Sequence, residues 1–314
     1  MPPKYKILIT STSFSKTDPL PLQNLRAHGC EVIENPYGRP LKENELISLL
    51  ADVDGVIAGL DEFTQKAIQS AKRLKVISRY GVGMDNIDLE AARAQKIRVT
   101  NTPGVNTQAV ADLTIALMLA VARKITKADI CTRQGKWEKF YGHSLFRKTL
   151  GILGFGRVGQ AVFRRSAGFE MEVLAYDPWQ KELIEKTDRI KYADLQDLLS
   201  DSDFVTLHLA LSEKTHHLIG EKELSLMKPT AYLINTARGG LINEEALYQT
   251  LKNKAIAGAA LDTFTDEPPR ASRLLTLENI VMTPHIGSYT YEATLEMGLA
   301  AVKNLISSLG GSGS

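Results

Sequence analysis

The sequence predicts an α/β protein made of two doubly wound parallel-sheet domains, the first of them discontinuous. Three observations point there. Short apolar runs alternate with amphipathic helical stretches along nearly the whole chain, which is the pattern of repeated βαβ units. A glycine-rich turn, Gly154-Phe155-Gly156-Arg157-Val158-Gly159, lies between an apolar run and a helical one near the middle. A final helical stretch, 291–308, comes after the second sheet has been filled, so it is expected to return to the first domain.

Taken in order, the first domain alternates strand-like runs at 6–10, 31–33, 55–57, 76–78 and 97–99 with helical stretches at 20–28, 43–50, 64–71 and 89–94. The stretch 107–127 reads as one long helix, apolar on most of its circumference. Such a helix must be buried on several sides, within its own subunit or against a partner. It leads us to expect a homodimer. Residues 133–148, with Trp137, Phe140, Tyr141, His143 and Phe146, lack periodicity and read as a loop. The second domain then adds strands at 149–153, 172–177, near Ile190, and at 204–207, 231–235, 256–261 and 280–282, interleaved with helices. The expected boundaries are 1–100 with 287–309 for the first domain and 101–286 for the second. The Gly/Ser-rich 310–314 has the composition of a linker or tag remnant.

In the turn at 154–159 each glycine has a physical reason. The first allows the sharp turn out of the strand, the second lets backbone approach a pyrophosphate, and the third lets helix pack on strand, as in Rossmann-type domains. The helix start supplies free N–H groups and the positive end of its dipole. Asp177 ends the next strand, where a carboxylate accepts hydrogen bonds from a ribose diol and repels a 2′-phosphate. This points to NAD rather than NADP.

Composition removes other classes. Thirty-eight basic and 36 acidic residues, interspersed, leave a net charge of +2, so neither nucleic acid nor a membrane surface is an expected partner. Two cysteines form no disulfide framework, and the histidines lack ligand spacing, so no catalytic metal is expected. With no apolar signal region and no run of 18 apolar residues, the expected location is the cytoplasm.

Ligands of open parallel sheets bind at the carboxyl ends of strands, so polar residues there are the candidates for chemistry. Arg238 follows the strand 231–235, Glu267 follows 256–261, and His285 follows 280–282. Singly, Arg238 suits a surface ion pair as well as a ligand site, Glu267 reads rather as a solvated turn carboxylate, and His285 rather as a packed loop histidine. In the first domain, Arg79-Tyr80-Gly81-Val82-Gly83 follows a strand, and its two glycines let backbone N–H groups converge on an anion.

The segments SRYGVGMDNID (78–88), NTPG (101–104), GILGFGRVGQ (151–160), NTARGGLINEEAL (235–247), GAALDTFTDEP (258–268) and TPHIG (283–287) together resemble the D-isomer-specific 2-hydroxyacid dehydrogenases. The likeness is to the phosphoglycerate dehydrogenase-like branch without a regulatory domain. It implies an NAD-dependent oxidoreductase acting on a small 2-hydroxy or 2-keto acid. Arg238 would hold the substrate carboxylate and oxo group. His285 would exchange the hydroxyl proton, and Glu267 would orient the imidazole and stabilise its protonated form. The resemblance places Gly154, Phe155, Gly156, Arg157, Val158, Gly159, Asp177, His208, Thr215, Thr236, Ala237, Asp262 and Gly287 at the cofactor, and Arg79, Val82 and Gly83 at the substrate with Arg238. Two departures stand out. Residues 58–62 (AGLDE) are apolar and acidic where relatives often carry an arginine, which counts against 3-phosphoglycerate and leaves glyoxylate, hydroxypyruvate or pyruvate open. Ala210 replaces a usual proline, which affects loop stiffness more than chemistry. An NAD-sensing corepressor and a phosphite-oxidising enzyme are the alternatives on this fold.

Overall fold

The computed structural model describes residues 3–310. The expected linker lies, from residue 311 onward, outside the described residues, whereas Gly310 closes the last helix. The chain divides into two compact units. One comprises residues up to 106 together with those from 289, the other residues 107–288.

In the first unit β1 (Tyr5–Ile9), α1 (Leu20–Ala27), β2 (Cys30–Glu34), α2 (Glu43–Leu50), β3 (Gly55–Ala58), α3 (Gln65–Ser70), β4 (Val76–Arg79), α4 (Leu89–Ala94) and β5 (Arg98–Thr100) alternate. The sheet is wholly parallel, in the order β2-β1-β3-β4-β5. Every residue of β3 and β4 is buried, as continuous apolar strands covered on both faces must be. Thr64 and Asp88 cap α3 and α4 by accepting from Ala67 N and Ala91 N, which satisfies donors the helices leave orphaned. The last helix, Tyr291–Gly310, lays Ala293, Met297, Ala301, Val302, Leu305 and Leu309 on this unit, beside α1, β3 and β4. Each of its larger apolar side chains contributes about 1.5–3 kcal/mol by leaving water. Strand order reverses between β1 and β3, and there Gly59 N donates to Thr10 Oγ1 at 2.8 Å.

The second unit contains α5 (Thr107–Ala122), α6 (Ile125–Arg133), β6 (Thr149–Leu153), α7 (Arg157–Ser166), β7 (Glu172–Tyr176), α8 (Lys181–Glu185), β8 (Ile190–Tyr192), α9 (Leu195–Asp201), β9 (Phe204–Leu207), α10 (Glu221–Leu226), β10 (Tyr232–Asn235), α11 (Glu244–Lys252), β11 (Gly258–Leu261) and β12 (Ile280–Met282). Its parallel sheet has the order β12-β11-β10-β9-β6-β7-β8, so the switch point lies between β6 and β9. The helix expected over 107–127 is in fact two. α5 is buried against α7, β10, β11 and β12, then the chain turns at Lys124, which has φ 54°, and restarts as α6. The cause is visible at the break: His143 N takes the Ala122 carbonyl at 2.9 Å, so the returning loop, not a further turn of helix, satisfies it. α6 buries no side chain, and Ile125 and Ile130 are exposed. α8, built from a polar stretch between β7 and β8, has no counterpart in the sequence expectation.

Candidate active site

Three neighbouring strands of the second unit, β10, β11 and β12, deliver the three candidate catalytic side chains in the loops at their carboxyl ends. After β10, the fully buried Asn235 builds the turn. Its Oδ1 accepts from Ala237 N at 3.0 Å and its Nδ2 donates to Arg238 O at 2.8 Å. Asx turns of this kind imitate a backbone turn and fix the following residue. Thr236 shares its hydroxyl with Thr114 of α5, 2.9 Å away. Arg238 is thus held at a half-buried position, with Nη1 donating to Ala237 O at 2.8 Å. The turn also lies against the loop after β11. A Cβ on Gly239 would come within 1.9 Å of the Phe264 carbonyl carbon, so only glycine fits.

Glu267 Oε2 lies 2.7 Å from His285 Nδ1, and Glu267 Oε1 accepts from Phe264 N at 3.1 Å. A carboxylate only accepts, so Nδ1 carries the hydrogen and Nε2 is the nitrogen left to trade a proton. The pair is partly exposed, with side chains 27% and 29% accessible, which leaves room for a reactant. His285 has φ 53°, in the left-handed region. Its loop is anchored by Asp262, whose Oδ1 accepts from Thr283 Oγ1 (2.6 Å) and Ile286 N (2.8 Å) and whose Oδ2 accepts from Gly287 N (2.8 Å). Burial raises the Asp262 pKa, and those hydrogen bonds oppose the rise. The sequence expectation placed Asp262 and Gly287 at the cofactor. They also bond to each other.

The glycine turn meets β9 at the switch point. A Cβ on Gly154, which has φ 99°, would strike the backbone of His208 and Leu209 at 2.6–2.7 Å. At Gly156, by contrast, a Cβ would meet nothing within 4 Å. Backbone is therefore bare at the N-terminus of α7, where no side chain caps the helix, and this cradle fits a dinucleotide pyrophosphate. Gly159 packs tightly on the Gly154 carbonyl, Val158 is half-buried, and Arg157 is exposed in the first turn. Asp177 accepts from Phe155 N and Trp179 N, each at 2.9 Å, one on each oxygen. It therefore fixes the turn whatever else it binds, and each oxygen keeps a second acceptor site for a diol.

Two of the cofactor candidates have their polar groups engaged within the unit. Phe155 is 1% exposed and packs edge-on against Phe163, so its side chain is core and its N–H is spent on Asp177. Thr215 is buried and uses its hydroxyl to close the 210–215 turn, donating to Ala210 O at 2.7 Å and accepting from Ser212 N at 2.8 Å. His208 is a different case. Its Nε2 is inaccessible and has no hydrogen-bond partner among the described residues, and burial pushes its pKa down to about 3.

In the first unit, the 81–83 loop is held by its carbonyls. Thr102 N donates to Gly81 O (2.9 Å), Asn101 Nδ2 to Val82 O (2.7 Å) and Arg79 Nε to Gly83 O (3.0 Å). Val82 is exposed at its tip. Arg79, expected at the substrate, is 5% exposed and directed inward, with Nη1 also on Ala58 O (3.2 Å) and Tyr80 O (2.5 Å). Nearby Asp61 is buried, and its pKa is raised by that burial and lowered in part by Arg79.

A family model described as "D-isomer specific 2-hydroxyacid dehydrogenase, NAD binding domain" matches residues 115–287, more than half of the chain. The chain belongs to that family. This dehydrogenase is 46% identical to a glyoxylate reductase of Thermococcus litoralis over 88% of its own length and 86% of the relative's. It is 42% identical to a hydroxypyruvate reductase of Thermotoga maritima, covering 86% and 89% of the two chains. Among solved structures it resembles a D-lactate dehydrogenase of Aquifex aeolicus complexed with NAD and lactic acid, with a TM-score of 0.84, 28% identity and coverage of 98% and 96%. The dehydrogenase is an NAD-dependent oxidoreductase of 2-hydroxy acids. Among the described residues no helix is long and apolar enough to cross a membrane, and no group of three or more His, Cys, Asp or Glu could hold a metal.

Proposed function

We propose that this dehydrogenase reduces small unphosphorylated 2-oxo acids, glyoxylate and hydroxypyruvate first, and oxidises the matching D-2-hydroxy acids in reverse, with Arg238, Glu267 and His285 as its catalytic residues. The Glu267–His285 pair at 2.7 Å carries this reading. NADH, when bound, supplies the hydride. His285 Nε2 delivers a proton to the oxo oxygen as its carbon is reduced, and Glu267 stabilises the imidazolium that precedes the transfer. Arg238 offers the planar fork that suits a carboxylate. In this reading the second unit takes NAD through the 154–159 cradle and Asp177, with His208, Thr236 and Ala237 bordering it. The first unit takes the substrate acid, and the amides at Val82 and Gly83 are its anion-binding group. Two observations favour an unphosphorylated acid: Arg79 is engaged by backbone carbonyls, and the 46% and 42% identical relatives are named for glyoxylate and hydroxypyruvate.

The test is NADH oxidation with a panel of 2-oxo acids, run on wild type and His285→Ala. Glyoxylate or hydroxypyruvate should give the highest kcat/KM, and H285A should lose about 10²–10⁴ in kcat while still binding NADH. NADH binding without turnover of any acid would favour a sensor, and turnover of phosphite alone the third reading.

We further propose a cytoplasmic homodimer. Cys30 and Cys131 are both free thiols, as in a reducing compartment. Ile125, Ile130, Trp137, Tyr141 and Phe146 stand exposed on α6 and the segment after it, a concentration of apolar surface that soluble monomers rarely show. Sedimentation should give twice the chain mass, and Ile130→Glu with Trp137→Glu should return it to the monomer's.

A further inference from the structure

We propose that the cavity at the amino-terminal ends of β10, β11 and β12 binds a small organic phosphate, its phosphate group held by lysines at the rim and its apolar body resting on the floor. The catalytic loops leave the opposite ends of the same strands, so this is a second site. β10 alone, four residues long, separates the two by about 13 Å.

The cavity measures about 580 Å³, a volume typical of small-molecule sites. Val121 of α5, Tyr232 of β10, Leu251 of α11 and the residues Ile256 and Ile280 form an apolar and aromatic floor, all of them buried. Lys124, Lys127, Lys252 and Lys254 also line it, against one carboxylate, Glu278. Lys127 Nζ donates to Glu278 Oε2 at 2.8 Å, and that bond, with Lys254 nearby, draws the Glu278 carboxyl below its ordinary pKa. The other three lysines form no ion pair among the described residues, so the rim carries an unbalanced positive charge. Like charges gathered round a hollow with low-dielectric walls raise the local concentration of anions.

The backbone at the rim points the same way. Lys124 and Lys254 lie two residues beyond the ends of α5 and α11, with φ 54° and 55°. At Lys254 the turn is closed by Lys254 N on Leu251 O (3.1 Å) and Ala255 N on Thr250 O (2.9 Å), the helix ending at which glycine is the usual residue. A lysine near a helix end complements the dipole, but any position in the last turn serves that purpose without a left-handed backbone. Here two such positions, on two different helices, carry ammonium groups that line one cavity, and residues held in such conformations cluster at ligand sites.

The residue types select the ligand. Arginine forks suit planar carboxylates, whereas lysine meets an anion as a point charge and is a common phosphate binder. A phosphate monoester carries about 1.5–2 negative charges at neutral pH, which matches several ammonium groups better than a single carboxylate does.

The test is calorimetric titration of the enzyme, saturated with NADH to fill the dinucleotide cradle, with 1-naphthyl phosphate, 1-naphthol and inorganic phosphate. 1-Naphthyl phosphate should bind at least about tenfold more tightly than either of the others, since each of those supplies only part of the contacts. Lys124→Gly and Lys254→Gly should each weaken it by about tenfold, the loss of one charge-assisted hydrogen bond. Both should nevertheless melt above wild type, because glycine relieves the left-handed backbone. Lys124→Gln and Lys254→Gln should lose the same affinity without the gain in Tm. Turnover of glyoxylate should stay within about twofold in all four variants. The proposal is overturned if 1-naphthyl phosphate shows no saturable binding up to about 1 mM, or if the variants bind it as wild type does. Binding only in the absence of NADH would also overturn it, by placing the probe in the dinucleotide cradle. Sedimentation of the same variants supplies the remaining check: conversion from a dimer to the monomer mass would make the cavity the seat of the second subunit instead.

Discussion

Arg79 and Arg238 stand at comparable places, each at the carboxyl end of a strand in a parallel sheet, yet the two units use them differently. Arg79 ends β4 with its guanidinium in the interior, bonded to the carbonyls of Ala58, Tyr80 and Gly83. Arg238 lies three residues beyond β10, on a turn tied by Asn235, and remains half-exposed. The distance from the strand decides the outcome. At the last strand position the side chain points into a covered layer, whereas three residues on it has cleared the sheet. An arginine near a strand end is therefore a ligand candidate only after its side-chain direction is known.

Placing the same substitution at both sites sharpens this contrast. Arg238→Met should lower kcat/KM by about 10²–10⁴, the value of two charge-assisted hydrogen bonds, with little change in Tm. Arg79→Met should do the reverse. It strands buried carbonyls and removes a cation near buried Asp61, so chemical denaturation should show a loss of about 3 kcal/mol, while kcat/KM at low temperature changes less than about tenfold. A kinetic collapse in R79M without loss of stability would return Arg79 to the substrate.

A smaller effect probes His208, another polar group inside the protein. Its pKa is depressed to about 3 from an ordinary 6.5. Between those values the unfolded chain binds a proton that the folded chain does not, so this residue's contribution to stability falls as pH drops from 6.5 toward 3. His208→Leu should remove that slope. The variant should gain on wild type by on the order of 1–2 kcal/mol between pH 7 and pH 5 in urea titrations. The depressed carboxylate of Glu45 acts in both proteins and cancels. If the two titrations run parallel, the imidazole is not sequestered as the structure shows it.

Much of this was legible in the sequence because the information is local. Most strands of the second sheet announce themselves as short apolar runs, and the 154–159 turn, Arg238, Glu267 and His285 each lie in the loop that follows one. What escaped depends on partners far along the chain. Nothing near Lys124 signals that His143 will take the Ala122 carbonyl and end α5. Nothing near Phe155 says that Asp177 will claim its amide while its ring enters the core. Nothing near Asp262, which the resemblance places at the cofactor, signals that it will also take donors from Thr283, Ile286 and Gly287. The one available clue to Asn235 was its type, since asparagine directly after an apolar strand favours a side-chain-closed turn.

The contact between Gly239 and Phe264 bears on how such an enzyme can be altered. Phe264 touches the Arg238 turn through its carbonyl and the Glu267 carboxylate through its amide, so one peptide segment is shared by the anion-holding and proton-handling loops. The two cannot drift apart by separate substitutions without disturbing that segment. For anyone building a library to change acid preference, residues 235–287 are best transplanted or conserved as one cassette, and diversity is best spent at 58–62 and 80–83, whose loops belong to a different folding unit.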